Sequence, residues 1–442
     1  MRIISTFTMV GLALGTLAAP AFAASLSTQQ AAIVRAVDSD AAAGIDLLER
    51  LVNINSGTFN PAGVTAVAKL LEAEFQSLGF QTRWIAMDAI QRAPTLIAEM
   101  KGSGGKRVLL LGHMDTVFEP SSPFQKFERT GMSAKGPGSS DMKGGLVVIV
   151  SALKALKAAG ALKGRAITVY LTGDEEAAGS PYSVSRGQMV EAGKVSDAAL
   201  SFEGGITIDG KEYATVARRG ALKWEVRAEG TAGHSGGIFG ESLGHGAAYE
   251  LSRIVTRFHD ELREPNMTFS VGLMLAGSKI KVAPNGEASV SGKENIVPGE
   301  AVALGDLRAL SLEQVARVEA KMQAIVAQSL PGTKARISFS EGYPPMAPTP
   351  GNLALLAELN AVNRALGIPE MEALDPMRRG AGDASFVAPV TDVLDGLGAV
   401  GEGAHAVGET VDLSRLAPQA RRAALLIDRL TREKSSKKSG SN

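Results

Sequence analysis

The sequence predicts an α/β protein: a mostly parallel central sheet with flanking helices, interrupted by an inserted α+β domain of ferredoxin-like layout. Three observations carry this. Short apolar runs alternate with helical stretches through the first half of the chain. A period-two pattern sets in near Gly220 and belongs to the insert. Helical periodicity then returns in two long segments before the C-terminus. At 442 residues the chain has room for two domains, or for one large domain with an insertion.

The elements follow in order. Arg2 precedes an apolar stretch over residues 9–19, which ends in Pro20-Ala21-Phe22-Ala23-Ala24. A cationic start, an apolar middle and a small-x-small exit describe a secretory signal peptide over residues 1–23. The apolar stretch is short of the ~20 residues a membrane span needs. The expected location of the mature protein is therefore periplasmic or secreted. Ile45, Leu47, Leu48, Leu51 and Val52 recur at helical spacing, and so do Val64, Val67, Leu70, Leu71, Phe75 and Leu78. Apolar runs at 108–111, 166–171 and 198–200 read as buried strands, with a helix at 146–159 between the first two. These form the first part of the main domain, residues 24–218.

In the insert, residues 219–341, Leu222, Trp224, Val226 and Ala228 alternate with polar residues. A helix carrying Leu243, Ala247, Leu251, Ile254 and Val255 follows, then strands at 267–276 and 301–308. A helix with Leu312, Val315, Val318, Met322 and Ile325 and a strand at 335–340 complete a β-α-β-β-α-β order. Residues 342–432 return to the first domain with helices at 352–366 and 416–430. The tail, 433–442, is short, polar and basic, and reads as disordered.

Composition narrows the function. Lys plus Arg and Asp plus Glu each number 46, so the net charge is zero and a nucleic-acid partner is not expected. With no Cys there is no disulfide scaffold, thiol nucleophile or thiolate-held metal. A chain without Cys also suits an oxidising compartment, where it cannot mispair.

The chemistry-bearing residues cluster just past the apolar strand runs. His113 and Asp115 follow 108–111; Asp174, Glu175 and Glu176 follow 166–171; Glu203 follows 198–202. Asp141 lies in the Gly-rich loop 136–145, just before a helix. That loop has no Lys-Ser/Thr ending, which speaks against a phosphate loop. In open α/β sheets ligands bind at the carboxyl ends of the strands, so these side chains are expected to converge at one edge. Imidazole and carboxylate without thiolate suit a catalytic zinc, cobalt or manganese site, and there are enough of them for two ions.

In order and spacing, Gly112–Val117, Gly136–Gly145 and Thr172–Ser180, with Glu203 and His405, resemble the metal-binding motifs of the M20 metallopeptidase family, most like its glutamate carboxypeptidases. The resemblance runs from about residue 47 to 430. It implies a zinc-peptidase-like fold whose insert serves as lid and dimerisation domain. It also implies two divalent metal ions, zinc first and cobalt or manganese as alternatives. His113 and Glu203 would bind one ion, Glu176 and His405 the other, and Asp141 would bridge them. Asp115 would fix the His113 ring through its other nitrogen. Glu175 would be the general base that takes a proton from the attacking water and passes it to the leaving amine.

From the lid, His234 would reach the site of a partner subunit in a homodimer and stabilise the oxyanion. Arg308 and Asn295 match lid residues near the substrate carboxylate, Gly382 lies in a Gly-rich substrate loop, and Lys211 sits where the carboxypeptidase type carries a substrate lysine. The chain departs from the family at Gly233, where Ala or Ser is usual, and at Gly244-His245-Gly246-Ala247, and both changes bear on substrate preference. The expected function is a secreted di-zinc carboxypeptidase that hydrolyses the amide before a C-terminal amino acid, with glutamate the first candidate. The alternatives are an N-acyl-amino-acid deacylase or dipeptidase with the same metal centre, and a non-catalytic peptide-binding protein. The substrate in either enzymatic case is a peptide or N-acyl amino acid.

Overall fold

The computed structural model describes residues 26–435 apart from 103, 284 and 285. The signal peptide expected at 1–23 and most of the expected tail lie outside those residues. The first helix, α1 (Thr28–Val52), opens on a reciprocal cap: Ser27 accepts from the Gln30 N–H, and the Gln30 side chain accepts from the Ser27 N–H. It starts well before the apolar repeat that announces it. Helix α2 (Pro61–Leu78) has Asn60 as its cap, Pro at its first position, and Gly79 at φ 94° as its stop.

The main sheet is built from β1 (Gln81–Ile85), β2 (Thr95–Met100), β3 (Val108–His113), β4 (Ile167–Thr172) and β5 (Ala198–Ser201). Helix α3 (Lys143–Ala158) crosses between β3 and β4. The spatial order is β1-β2-β4-β3-β5, and a short strand at Val393–Leu394 adds in parallel beside β5. Strands β4, β3 and β5 run parallel, whereas β1 and β2 form an antiparallel edge. Both faces of the sheet are buried. Val108 and Leu110 pack with α1–α3 in one cluster; Leu109 and Leu111 pack with Tyr170, Met189 and Val387 in another. That is why β3 reads as an unbroken apolar run.

The insert forms its own antiparallel sheet from β6 (Ala221–Gly230), β7 (Thr268–Gly277), β8 (Glu300–Arg308) and β9 (Thr333–Tyr343), ordered β7-β8-β6-β9. Helices α4 (Gly246–Glu261) and α5 (Leu312–Val326) cover one face. Trp224 anchors this separate core: it is 2% exposed, meets Phe258 edge-on, and donates from Nε1 to the Asp306 carbonyl at 3.2 Å. Helices α6 (Pro350–Leu366) and α7 (Leu416–Arg432) return to the main body, where α7 packs against α1 and α3. Among the described residues no helix is long and apolar enough to cross a membrane.

Candidate metal centre

The parallel strands end side by side, and that brings the site together. His113 is the last residue of β3, and the loops leaving β4 and β5 carry Glu175, Glu176 and Glu203. Asp141 precedes α3. His405 comes from a late turn, in a left-handed backbone at φ 66°. His113 Nε2 lies 3.3 Å from Asp141 Oδ1 and 3.4 Å from Glu203 Oε1. His405 Nε2 lies 3.1 Å from Asp141 Oδ2 and 3.1 Å from Glu176 Oε2. The two oxygens of Asp141 thus face two different imidazoles, each with its own further carboxylate.

Local structure explains why these side chains hold their places. His113 Nδ1 is 3.1 Å from the Asp115 carbonyl, which can only accept, so Nδ1 carries the proton and Nε2 is left to face the cluster. Asp115 Oδ1 accepts from the Glu175 N–H at 3.0 Å. Its Oδ2 accepts from the Glu176 N–H at 3.1 Å and from the Thr58 hydroxyl at 2.6 Å. One buried aspartate therefore orients both, the His113 ring chiefly through its carbonyl and the Glu175–Glu176 backbone through its carboxylate. Glu409 does the same for the Asp141 loop, accepting the N–H groups of Gly138, Ser140 and Asp141 at 2.7–2.9 Å. Gly145 and Gly398 flank the Phe202 carbonyl, and a Cβ on either would come within 2.0 Å of it. Their missing side chains let the segment leading to Glu203 pass between α3 and residue 398.

Behind the Glu175 loop, Arg186 is fully buried between Asp174 and Asp383, at 2.6 Å from each. The Tyr343 hydroxyl, from the end of β9, donates to the Glu175 carbonyl at 2.6 Å.

The electrostatics match a cation site. Burial, reinforced by the carboxylates of Glu203, Asp383 and Glu176, holds Glu175 well above the usual carboxylate range. Burial pushes Glu176 up to about 7. Hydrogen bonds with Asp141 and Glu176 lift His405 to about 11. Burial works against a charge on His113, but its bonds with Asp115, Asp141 and Glu203 outweigh that and raise it. Protons on the two imidazoles thus supply the positive charge that this carboxylate set demands.

The residues fit divalent cations in three ways. Glu176 Oε1 is buried with no hydrogen-bond partner among the described residues. Donor atoms of His113, Asp141 and Glu176 lie within 4.8 Å of one another. The set is nitrogen and oxygen without sulfur.

The remaining sequence-predicted residues are placed as follows. Gly382 packs on the guanidinium of Arg218, whose Nη2 lies 3.8 Å from Glu203. His234 is exposed on the lid and accepts from the Gly236 N–H at 3.1 Å. It stands opposite Ile296 in a short bridge, and Ser235 N–H donates to the Asn295 carbonyl, so His234 and Asn295 are neighbours. Arg308 pairs with Asp306 at 2.9 Å. Lys211 pairs with Glu372 at 2.5 Å and lines a hollow of about 600 Å³ that contains no residue of the metal cluster. Among the described residues, no hydrogen bond or ion pair of His234, Asn295, Arg308 or Lys211 reaches the cluster. Sequence reasoning missed Glu409, Thr58, Arg218 and Tyr343. Only Glu409 had a sequence cue, a carboxylate four residues past His405 in a Gly-rich turn.

Fold and site together fit a metal-dependent hydrolase of the α/β class with an inserted α+β domain. Residues 109–429 match the family described as Peptidase family M20/M25/M40, and the chain belongs to it. Carboxypeptidase G2 of Pseudomonas sp. (strain RS-16) is 30% identical over 408 residues, covering 89% of this chain and 91% of that protein. Succinyl-diaminopimelate desuccinylase of Bordetella bronchiseptica is 26% identical over 388 residues, covering 86% and 95%. Among solved structures, aminopeptidase PepT from Bacillus cereus aligns with a TM-score of 0.68 at 18% identity, covering 88% of this chain and 98% of that one. Bacillus subtilis YXEP, described as a dinuclear metal binding peptidase of the M20 family, aligns at 0.60 and 15% identity, covering 88% and 98%.

Proposed function

We propose that this M20 hydrolase is an exported carboxypeptidase with two zinc ions, acting on the amide before a C-terminal amino acid, glutamate first. The observation that carries the two-ion reading is Asp141, whose oxygens face His113 and His405 separately at 3.3 and 3.1 Å. His113 and Glu203 would hold one cation and Glu176 and His405 the other, with Asp141 shared. Cations bound there supply Lewis acidity and lower the pKa of water.

The chain's own groups do the rest. Glu175 sits in a buried, carboxylate-rich setting that raises its proton affinity, which suits a base that must accept a proton and hand it on to the leaving nitrogen. Asp115 and Tyr343 fix its backbone on two sides. Arg308 presents a guanidinium fork suited to a free carboxylate. His234 and Asn295 lie together on the lid, and in a homodimer they would approach the partner's site.

The signal-like N-terminus and the absence of Cys support a periplasmic or secreted location. Similarity to desuccinylases favours an N-acyl-amino-acid deacylase as second reading. Mutating Glu175→Ala tests the mechanism: metal content should persist while turnover on C-terminal glutamyl amides falls at least ~10³-fold. Retained turnover removes the base, and a mass-identified product panel of peptides, glutamyl amides and N-acyl amino acids separates the substrate readings.

A further inference from the structure

Two guanidinium groups stand at the Glu203 side of the cluster with donors left over. Arg218 is 3% exposed; its Nε pairs with Asp395, and its Nη1 donates to the carbonyls of Gly380 and Ala381 at 3.0 Å each. Its Nη2, 3.8 Å from Glu203 Oε2, is buried and has no hydrogen-bond partner among the described residues. Arg379 donates from Nη2 to the Gly204 carbonyl at 3.0 Å, one residue past Glu203. Its Nε is likewise buried without a partner among those residues. Burial and the nearby Arg218 charge both disfavour the Arg379 cation, while Asp395, Glu203 and Asp141 favour it.

The charges around this pair do not balance once the cluster is loaded. Asp395 neutralises one arginine. Glu203 and Asp141 face the cluster's imidazoles, and as cation ligands their charge is spent there. Glu175 also acts on Arg218, but two buried N–H donors still lack an acceptor among the described residues. Other buried or nearby cations are already satisfied: Arg186 by Asp174 and Asp383, and Lys211 by Glu372. Buried donors without acceptors are uncommon in native proteins and mark places where a ligand can supply the acceptor.

We propose that Arg218 and Arg379 form a subsite for a second substrate carboxylate, the side-chain carboxylate of an acidic C-terminal residue. This rests on the carboxypeptidase reading and adds what selects the residue that is removed. A planar guanidinium pairs well with a carboxylate, and two of them beside the metal ligands would recognise a charge close to the scissile bond. Gly382 keeps the loop flat against Arg218, since a Cβ there would meet Nη1 at 2.9 Å.

The test uses the full, metal-loaded protein and N-acylated dipeptides that end in Glu or Gln. Wild type should favour Glu over Gln in kcat/KM by about 10–100-fold, the scale of a charge-assisted hydrogen-bonded pair. Arg379→Gln should bring that ratio close to one with metal content unchanged, and Arg379→Lys should restore part of it. Equal wild-type rates on Glu and Gln overturn the subsite and leave the carboxypeptidase reading standing. A ratio that Arg379→Gln does not move overturns it too. If no C-terminal amide is cleaved, the carboxypeptidase reading falls, and binding alone reads the subsite. Glutarate should then raise the melting temperature of wild type more than butyrate does, and the difference should vanish in Arg379→Gln; equal protection in wild type overturns the proposal.

Discussion

Glu409 faces backbone N–H groups, and its carboxylate is what gives the Asp141 loop its shape. Glu409→Gln replaces one acceptor oxygen with a donor that would face N–H groups. Metal affinity should fall ~10–100-fold, as is usual when a group that orients ligands is lost. Competition with a graded chelator measures it, and an unchanged affinity would mean that the loop holds itself. The protonated imidazoles lead to a second expectation. His405 keeps its proton up to about 11 in the metal-free chain, and His113 is raised as well. At pH 7.5 His405 is charged before loading and must be neutral afterwards, and the rise at His113 acts in the same sense. Metal binding should therefore release protons, from His405 and from the protonated share of Glu176, and weaken as pH falls. Calorimetry in buffers of different ionisation heat counts them, and no release would exclude these imidazoles as ligands. His113, Asp141, Glu176 and Glu203 could be read in the sequence because each follows a strand or opens a helix. Thr58 and Arg218 could not, because a group that serves a distant side chain leaves no spacing pattern, and Glu409 left only its place four residues past His405.

At the scale of elements, the contact between α3 and the segment leaving β5 is a close joint beneath the centre. Gly145→Ala would drive a methyl to 2.0 Å from the Phe202 carbonyl. It should destabilise by roughly 1–3 kcal/mol and shift Glu203 enough to loosen the ion it would share with His113. Gly187→Ala, where a Cβ meets nothing within 4 Å and a helix begins, should be neutral or stabilising by about 0.4–1 kcal/mol. Denaturant unfolding of the pair checks both, and equal effects would mean that the close approach relaxes freely. The buried strands were evident from composition because both of their faces are covered. Strand β1 was not, because it alternates exposed and half-buried residues and carries Gln, Thr and Arg. The early turns of α1 were hidden in the same way by their Ala, Gln and Asp content.

At the scale of the molecule, the body and the insert are joined by two crossings that run together. Arg218 and Met346 exchange backbone hydrogen bonds at 2.9 Å, and Tyr343 closes the end of β9 onto the Glu175 carbonyl at 2.6 Å. The lid is thereby tied to the peptide unit of the proposed base. Tyr343→Phe keeps the ring packed on Tyr182 and Phe386 and removes that bond, together with the longer one, 3.4 Å, that the hydroxyl accepts from Arg186 Nη2. It should lower kcat ~3–10-fold with KM little changed, the worth of one neutral hydrogen bond. A change in KM alone, read from steady-state kinetics, would place the effect in substrate binding instead. The insert itself was legible from its change of periodicity. Its tie to Glu175 was not, because one hydroxyl at a strand end looks like any other Tyr in the sequence.

His405 has a consequence for timing. It joins the cluster from a turn that lies beyond the whole insert and most of the returning segment, yet it shares Asp141 with a histidine nearly three hundred positions earlier. A growing polypeptide that has not yet emerged past that turn holds only one of the two imidazoles. Hydrolytic power would therefore switch on late, when synthesis is almost finished, and fragments cut short upstream of the turn should be inert even where their sheet has formed.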